Sequence, residues 1–423
     1  MTRPRGVVVV TGSELVRGER TDRNGPFLAG ELLRLGLEPA RIDIVGDDPE
    51  ELEDALRQGL EADLCLVSGG LGPTHDDRTV ELVAKAAGVG LFVDAALETQ
   101  IGDVSRAFAE RMRRPYADFE EGVRKQATLP EGAIVIGVAG TAPGLVLETR
   151  KAVTVVLPGP PPELRRLWPR ALETAAVRAV LARAHVPERR VLRFYGVSES
   201  SVATALAEAG GEGGGLRATI CARDYEIHVD LLAEEDGRRR ADGLVAQLRE
   251  RLGGHLFAED ERPVEELVLA ACRERGLSLA TAESCTGGLV AARLTSVAGS
   301  SDVFRGGVVA YANEVKSTEL GVPEKLLARH GAVSAEVATA MAHGIRERLG
   351  ADAAVAVTGV AGPGGGTPEK PVGLVHLHAQ VPDGDRGVEL NLPGGRDAVR
   401  GRATAAALHL LLRLLAQNRH EDA

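Results

Sequence analysis

The feature that most restricts the fold is a recurring pattern: a short unbroken apolar run, a glycine-bearing loop, then the start of a helix. GVVVV (6–10) runs into TGSELVRGERTDRN (11–24) and a helix near 26–35. DLCLVS (63–68) runs into GGLGPTHDDRT (69–79) and a helix over 79–87. The pattern returns at 278–282, before ESCTGG, and at 353–357, before TGVAGPGGGTPEKPVG. β-Branched runs without polar alternation belong to strands covered on both faces. Strands alternating with helices build a parallel sheet flanked by helices. Two α/β segments are therefore expected, over 1–170 and 263–423. Between them, 171–260 has another rhythm: strand 190–195, helix 200–209, the run GGEGGG (210–215), strands 216–221 and 226–233, and a helix over 237–252. That reads as a small α+β domain, with the glycines in a flexible loop. A length of 423 residues agrees with several domains, at about 150 residues each.

Composition narrows the function. Lys and Arg number 50 against 61 Asp and Glu, a net charge of −11, and aromatics are 3% of the chain. A nucleic-acid binder needs a basic surface or stacking aromatics, so neither DNA nor RNA is an expected partner. No apolar run approaches the ~20 residues that span a bilayer, so no membrane partner is expected. The opening MTRPRGVVVVTG holds four valines before Thr11, too short an apolar stretch for secretion, and a cytoplasmic location follows. The cysteines Cys65, Cys221, Cys272 and Cys285 form no CxxC pair, so neither a disulfide framework nor a zinc knuckle is indicated.

Chemistry concentrates in the loops at strand ends, where ligands bind in open α/β sheets. In the first segment Gly69, Gly70 and Gly72 would let backbone N–H groups approach an anion, with Thr74 nearby. Asp76, Asp77 and Glu14 would supply carboxylate oxygens to a divalent ion bridging a diphosphate; the plain alternative is a capped turn with solvated acids. Asn24 is a candidate helix cap, and GTAPG (140–144) is either a pocket wall or only a turn. In the last segment Glu283, Ser284, Cys285, Thr286 and Gly287 open a helix, whose N-terminus suits a phosphate or an oxyanion. Cys285 is a nucleophile candidate, or an inert buried thiol. Thr358 and Gly359 would complete an anion-lined pocket. Ser301, Tyr311 and Lys316 are spaced so that a strand end and a helix start bring the last two together. A lysine can deprotonate a serine once burial or a nearby cation lowers its pKa, and Arg400 is a candidate for that cation or for gripping phosphate.

With these motifs on the page, the sequence resembles the CinA family of competence/damage-inducible proteins over essentially its whole length. GSELVRGERTDRN, SGGLGPTHDDRT, GTAPG and LPGPPPEL are similar to a MoaB/MogA-like, molybdopterin-binding-fold domain. The middle resembles a KH-like domain. AESCTGG, the Ser301–Tyr311–Lys316 spacing, GAVS (331–334), TGVAGPGGG and RDAVRGRA resemble the nicotinamide-nucleotide amidase. The resemblance implies a multidomain α/β protein: a MoaB/MogA-like α/β sandwich, a small α+β KH-like domain and a C-terminal α/β amidase domain. It implies two activities. The C-terminal domain would convert nicotinamide mononucleotide to nicotinic acid mononucleotide and ammonia, without a cofactor. The N-terminal domain would hydrolyse ADP-ribose to AMP and ribose 5-phosphate, using a divalent metal (Mg, Mn or Co) and K+. A homodimer is implied as well. Ser301 is then the expected nucleophile, Lys316 its base, Tyr311 the residue that orients the lysine or protonates ammonia, and Ser284 the oxyanion or substrate contact, the two serines being exchangeable. The chain departs from the family in reading Gly12-Ser13-Glu14 where GDE is common, and in lacking an Asn shortly before GTAPG. Two other readings stay open: a molybdopterin-binding protein, and a non-catalytic adaptor in DNA uptake or recombination.

Overall fold

The structure, a computed structural model, describes residues 3–417. It divides into two compact units, at the Pro187–Glu188 step.

The first unit carries a six-stranded sheet in the order β2-β1-β3-β8-β7-β6. These strands are β1 (Arg5–Thr11), β2 (Glu38–Val45), β3 (Leu64–Ser68), β6 (Ile134–Ala139), β7 (Ala142–Glu148) and β8 (Val153–Leu157). β4 (Leu91–Val93) and β5 (Thr128–Pro130) pair separately. The first four strands in the order are parallel, whereas β7 and β6 run antiparallel. The sheet is thus mixed, because GTAPG makes a hairpin between β6 and β7 instead of a parallel connection. Side chains of a strand alternate between faces. Val8 and Val10 accordingly enter one core with Leu64 and Leu66, and Val7 and Val9 enter the other with Cys65 and Val67. Helices cover both faces: α1 (Ser13–Val16), α2 (Asn24–Arg34), α3 (Pro49–Gly59), α4 (Thr79–Ala87), α5 (Ala95–Met112), α6 (Ala117–Gln126), α7 (Pro161–Leu172) and α8 (Ala175–Leu181). The unit runs past the boundary expected near 170. Ala171, Ala176, Val177 and Val180 bury their side chains in its core and hold α8 there.

The second unit begins with an antiparallel sheet in the order β10-β11-β9-β12. Its strands are β9 (Glu188–Phe194), β10 (Leu216–Arg223), β11 (Glu226–Ala233) and β12 (Leu256–Ala258). α9 (Glu199–Glu208) and α10 (Arg238–Leu252) pack through Val202, Leu206, Leu244 and Leu248 against Leu192, Phe194, Val229 and Leu231. The glycine run is tethered, since Arg240 donates to the carbonyls of Gly210 and Gly211.

The rest of the unit holds a five-stranded sheet in the order β14-β13-β15-β16-β17. Its strands are β13 (Leu279–Glu283), β14 (Phe304–Val309), β15 (Ala353–Gly359), β16 (Leu374–Val381) and β17 (Gly384–Asn391). β13 lies parallel to both β14 and β15, and the other pairings are antiparallel. The helices are α11 (Val264–Glu274), α12 (Leu289–Ser296), α13 (Asn313–Leu320), α14 (Glu324–His330), α15 (Ala335–Leu349) and α16 (Arg396–Gln417). α11, α12 and α16 fill the core on one face, and α13 and α15 fill it on the other. Among the described residues no helix is long and apolar enough to cross a membrane.

Candidate functional site

In the first unit β1, β3 and β8 are parallel neighbours, so the loops that follow them open at one end of the sheet. Glycine is required where they meet. Gly69 and Gly70 have φ of 110° and 63°. A Cβ at Gly69 would lie 2.4 Å from the Thr11 carbonyl, and one at Gly70 would lie 2.1 Å from Thr79 Oγ1. The loops enclose a cavity of about 840 Å³, lined by Glu14, Asp22, Gly69, Gly70, Gly72, Asp76, Asp77 and Glu163, among others. Thr141 and Ala142 also line it, so GTAPG is both turn and wall.

The expected metal ligands Glu14, Asp76 and Asp77 all line this cavity. Asp77 accepts from the Thr74 N–H at 3.0 Å and from its hydroxyl, which spends that carboxylate inside the loop. Thr74 therefore shapes the loop. Hydrogen bonding from Thr74 holds Asp76 below the ordinary carboxylate range. Asp47 is engaged by the N–H and hydroxyl of Ser13. Among the described residues no group of three or more His, Cys, Asp or Glu is placed to hold a metal ion, so a divalent ion finds no assembled cage. Asn24 does not cap α2. The Asp22 carboxylate accepts from the N–H of Asn24 and Gly25, while the Asn24 amide ties Ser68 Oγ (2.9 Å) to the Gly159 carbonyl (2.7 Å). Glu163, whose pKa burial raises, was not singled out from sequence. Its place in LPGPPPEL, just after a buried strand, was the available signal.

In the last domain the parallel strands β13 and β14 end side by side, and there Ser284 and Lys316 meet. Lys316 Nζ lies 3.2 Å from Ser284 Oγ, 2.7 Å from the Ala310 carbonyl and 3.4 Å from the Tyr311 carbonyl. Lys316 is 1% exposed and Ser284 8%. Burial lowers the lysine pKa below its ordinary value. Lys316 Nζ donates to both carbonyl oxygens and stands within hydrogen-bond reach of the serine hydroxyl, a distance over which a proton can pass between the two side chains.

Ser301 is not part of this arrangement. It sits exposed in a short 3-10 turn, Ser300–Asp302, just before β14. Leu279 pairs with Phe304 at the start of the two parallel strands, whereas Ser284 follows their far end. The five residues between correspond to about 16 Å of strand. The spacing that suggested Ser301 ignored that β14 lies between it and Lys316. Tyr311 lies beyond the end of β14 and is 60% exposed. Its hydroxyl accepts from Arg396 Nη2 at 2.8 Å, and its main-chain carbonyl, not its phenol, meets the lysine.

The remaining loop residues brace the pair. The buried Glu283 carboxylate accepts from the N–H groups of Gly288, Val290 and Ala291 at 2.8–3.0 Å. It caps α12, so the helix N-terminus expected to receive a substrate anion already holds the protein's own. Burial pushes the Cys285 thiol up to about 11, which leaves it an inert thiol and not a nucleophile. Arg400 Nη2 donates to the Thr286 carbonyl at 3.0 Å beside Gly287, so Arg400 clamps the loop, and burial rather than this cation lowers the lysine pKa. Thr358 is fully buried at the end of β15 and donates to the Ala332 carbonyl at 2.7 Å, bracing the GAVS loop, while Gly359 pairs with Val375 of β16.

Comparison with known proteins agrees with this division. Residues 7–176 match the probable molybdopterin binding domain, 189–258 the damage-inducible protein CinA KH domain, and 261–415 the CinA C-terminal domain. A CinA-like protein of Mycolicibacterium gilvum is 44% identical over 424 residues, covering 97% of this chain and 98% of its own. A CinA-like protein of Mycobacterium tuberculosis is 45% identical over 421 residues, covering 97% of each. Among solved structures, the competence/damage inducible protein CihA of Agrobacterium tumefaciens is 44% identical (TM-score 0.35), covering 37% of this chain and 99% of its own. The protein CinA of Thermoplasma acidophilum is 32% identical (TM-score 0.36), covering 41% and 98%.

Proposed function

The chain belongs to the CinA family, and from that premise we propose that its C-terminal domain hydrolyses the carboxamide of nicotinamide mononucleotide, with Ser284 as nucleophile and Lys316 as base. The observation that carries this reading is the 3.2 Å approach of a buried lysine, with no carboxylate contact among the described residues, to a serine hydroxyl. Lys316 takes the Ser284 proton as Oγ attacks the carboxamide carbon. The same proton passes to the leaving nitrogen, and ammonia departs from a seryl ester. Lys316 then deprotonates a water that attacks the ester carbon, the proton passes on to the departing Ser284 Oγ, and nicotinic acid mononucleotide is released. Arg400 and the Glu283 cap keep the nucleophile's loop in place throughout. Ser284→Ala should lower ammonia release about a thousandfold or more, measured with purified protein and nicotinamide mononucleotide. Retention of the rate in Ser284→Ala with its loss in Ser301→Ala would overturn the assignment.

For the N-terminal domain the companion reading is hydrolysis of ADP-ribose to AMP and ribose 5-phosphate. A glycine-lined cavity of about 840 Å³ supports a nucleotide-sized ligand, within the usual range of roughly 300–1,000 Å³. A divalent ion and potassium belong to this reading, with Asp76, Asp77 and Glu14 all lining that cavity. A rival reading, pterin binding without cleavage, predicts bound pterin fluorescence and no AMP. Incubation with ADP-ribose, with and without EDTA, separates the two. A homodimer in the cytoplasm belongs to the same proposal.

A further inference from the structure

The turn joining β10 to β11 has a conformation that its own residues disfavour. Asp224 and Tyr225 have φ of 53° and 67°, a left-handed backbone that a tyrosine seldom adopts. What holds it lies in α16. The Tyr225 ring rests on Gly401 so closely that a Cβ there would be 2.4 Å from its Cε2. The Arg402 guanidinium stacks over the same ring, 4.9 Å from its centre. The next residue, Glu226, is 3% exposed and accepts from His409 Nε2 at 2.8 Å, two turns along α16. His409 in turn stacks on Tyr195 of the middle domain with 3.8 Å between ring centres. The middle domain therefore grips α16 from Gly401 to His409. Directly before that grip, Arg400 reaches the Thr286 carbonyl in the loop that carries Ser284.

We propose that Tyr225 is a positioning residue: the β10–β11 turn fixes α16 at Gly401 so that Arg400 holds the Ser284 loop, which makes the middle domain a working part of the amidase. Its kinetic consequence rests on the reading of Ser284 and Lys316 given above; its structural consequence does not. Two measurements on the full chain separate them. Amide hydrogen exchange over 284–291, without substrate, should quicken roughly tenfold in Tyr225→Ala and stay as in wild type in Tyr225→Phe, which keeps the ring. Deamidation of nicotinamide mononucleotide should lose roughly tenfold in kcat/KM in Tyr225→Ala and be restored in Tyr225→Phe. Gly401→Ala leaves the turn's sequence intact and pushes the ring away, so it should act like Tyr225→Ala. Because both changes break one contact, the double variant should be no worse than either single one. Wild-type exchange over 284–291 in Tyr225→Ala, a Tyr225→Phe loss equal to that of Tyr225→Ala, or multiplying losses in the double variant would each overturn the proposal. If exchange responds as expected while the wild type releases no ammonia, the amidase reading fails and the brace stands.

Discussion

At the scale of residues, Lys316 sets the terms. As a base it must be neutral, and burial has lowered its pKa from 10.5. The deamidation rate should therefore climb with pH along a limb whose midpoint lies below the ordinary lysine value; a pH–rate profile flat across that region would count against the base role. The same shift has a stability cost. Between the folded and the unfolded pKa the unfolded chain binds the extra proton, so stability rises with pH through that window and is lower at neutral pH. Lys316→Met should thus raise the melting temperature at pH ~7 while abolishing ammonia release. Glu283→Ala should act in the opposite way, losing about 1–2 kcal/mol with the cap, read by urea denaturation. The sequence put Ser284, Lys316 and Arg400 among the candidates, because glycine loops at strand ends are visible in it. It could not choose between Ser284 and Ser301. Fifteen residues separate Ser301 from Lys316 along the chain, fewer than half the separation of Ser284 from the same lysine. Only strand direction shows that the nearer serine stands at the wrong end.

At the scale of elements, apolar runs read well and mixed ones did not. Glu226–Ala233 and Thr79–Ala87 are legible to the residue in the sequence, since each is bounded by a glycine, a cap or a clear change of period. α5 and α6 went unassigned because their apolar residues are sparse and partly exposed, as at Val104, Phe108 and Met112. The hairpin of β6 and β7 was missed because its glycines looked like loop punctuation. No local pattern announces the contact between Glu226 and His409, which lie 183 residues apart. Burial lowers the His409 pKa against the pull of Glu226, and Glu226 accepts from the His409 Nε2 donor at 2.8 Å. Glu226→Ala should strand that donor and cost about 1–3 kcal/mol, measured as a lower denaturant midpoint for the second unit.

At the scale of the whole molecule, each unit has hydrophobic clusters of its own, those of residues 7–184 in the first and of 192–415 in the second. Limited proteolysis is therefore expected to cut near the step between the units and release two folded fragments. Ammonia release should stay with the fragment that begins near Glu188, and ADP-ribose hydrolysis with the other; loss of the first activity on cleavage there would mean that the two units depend on each other. Of the three segments expected from sequence, the middle one associates with the last, a partnership that depends on side chains meeting across α16 and so leaves no periodic trace. The two groups that hold the lysine amine are peptide oxygens, which no codon change can delete. The seat of the lysine amine is therefore tied to the path of the chain rather than to its neighbours' identities. Distant descendants that keep this path keep both acceptors.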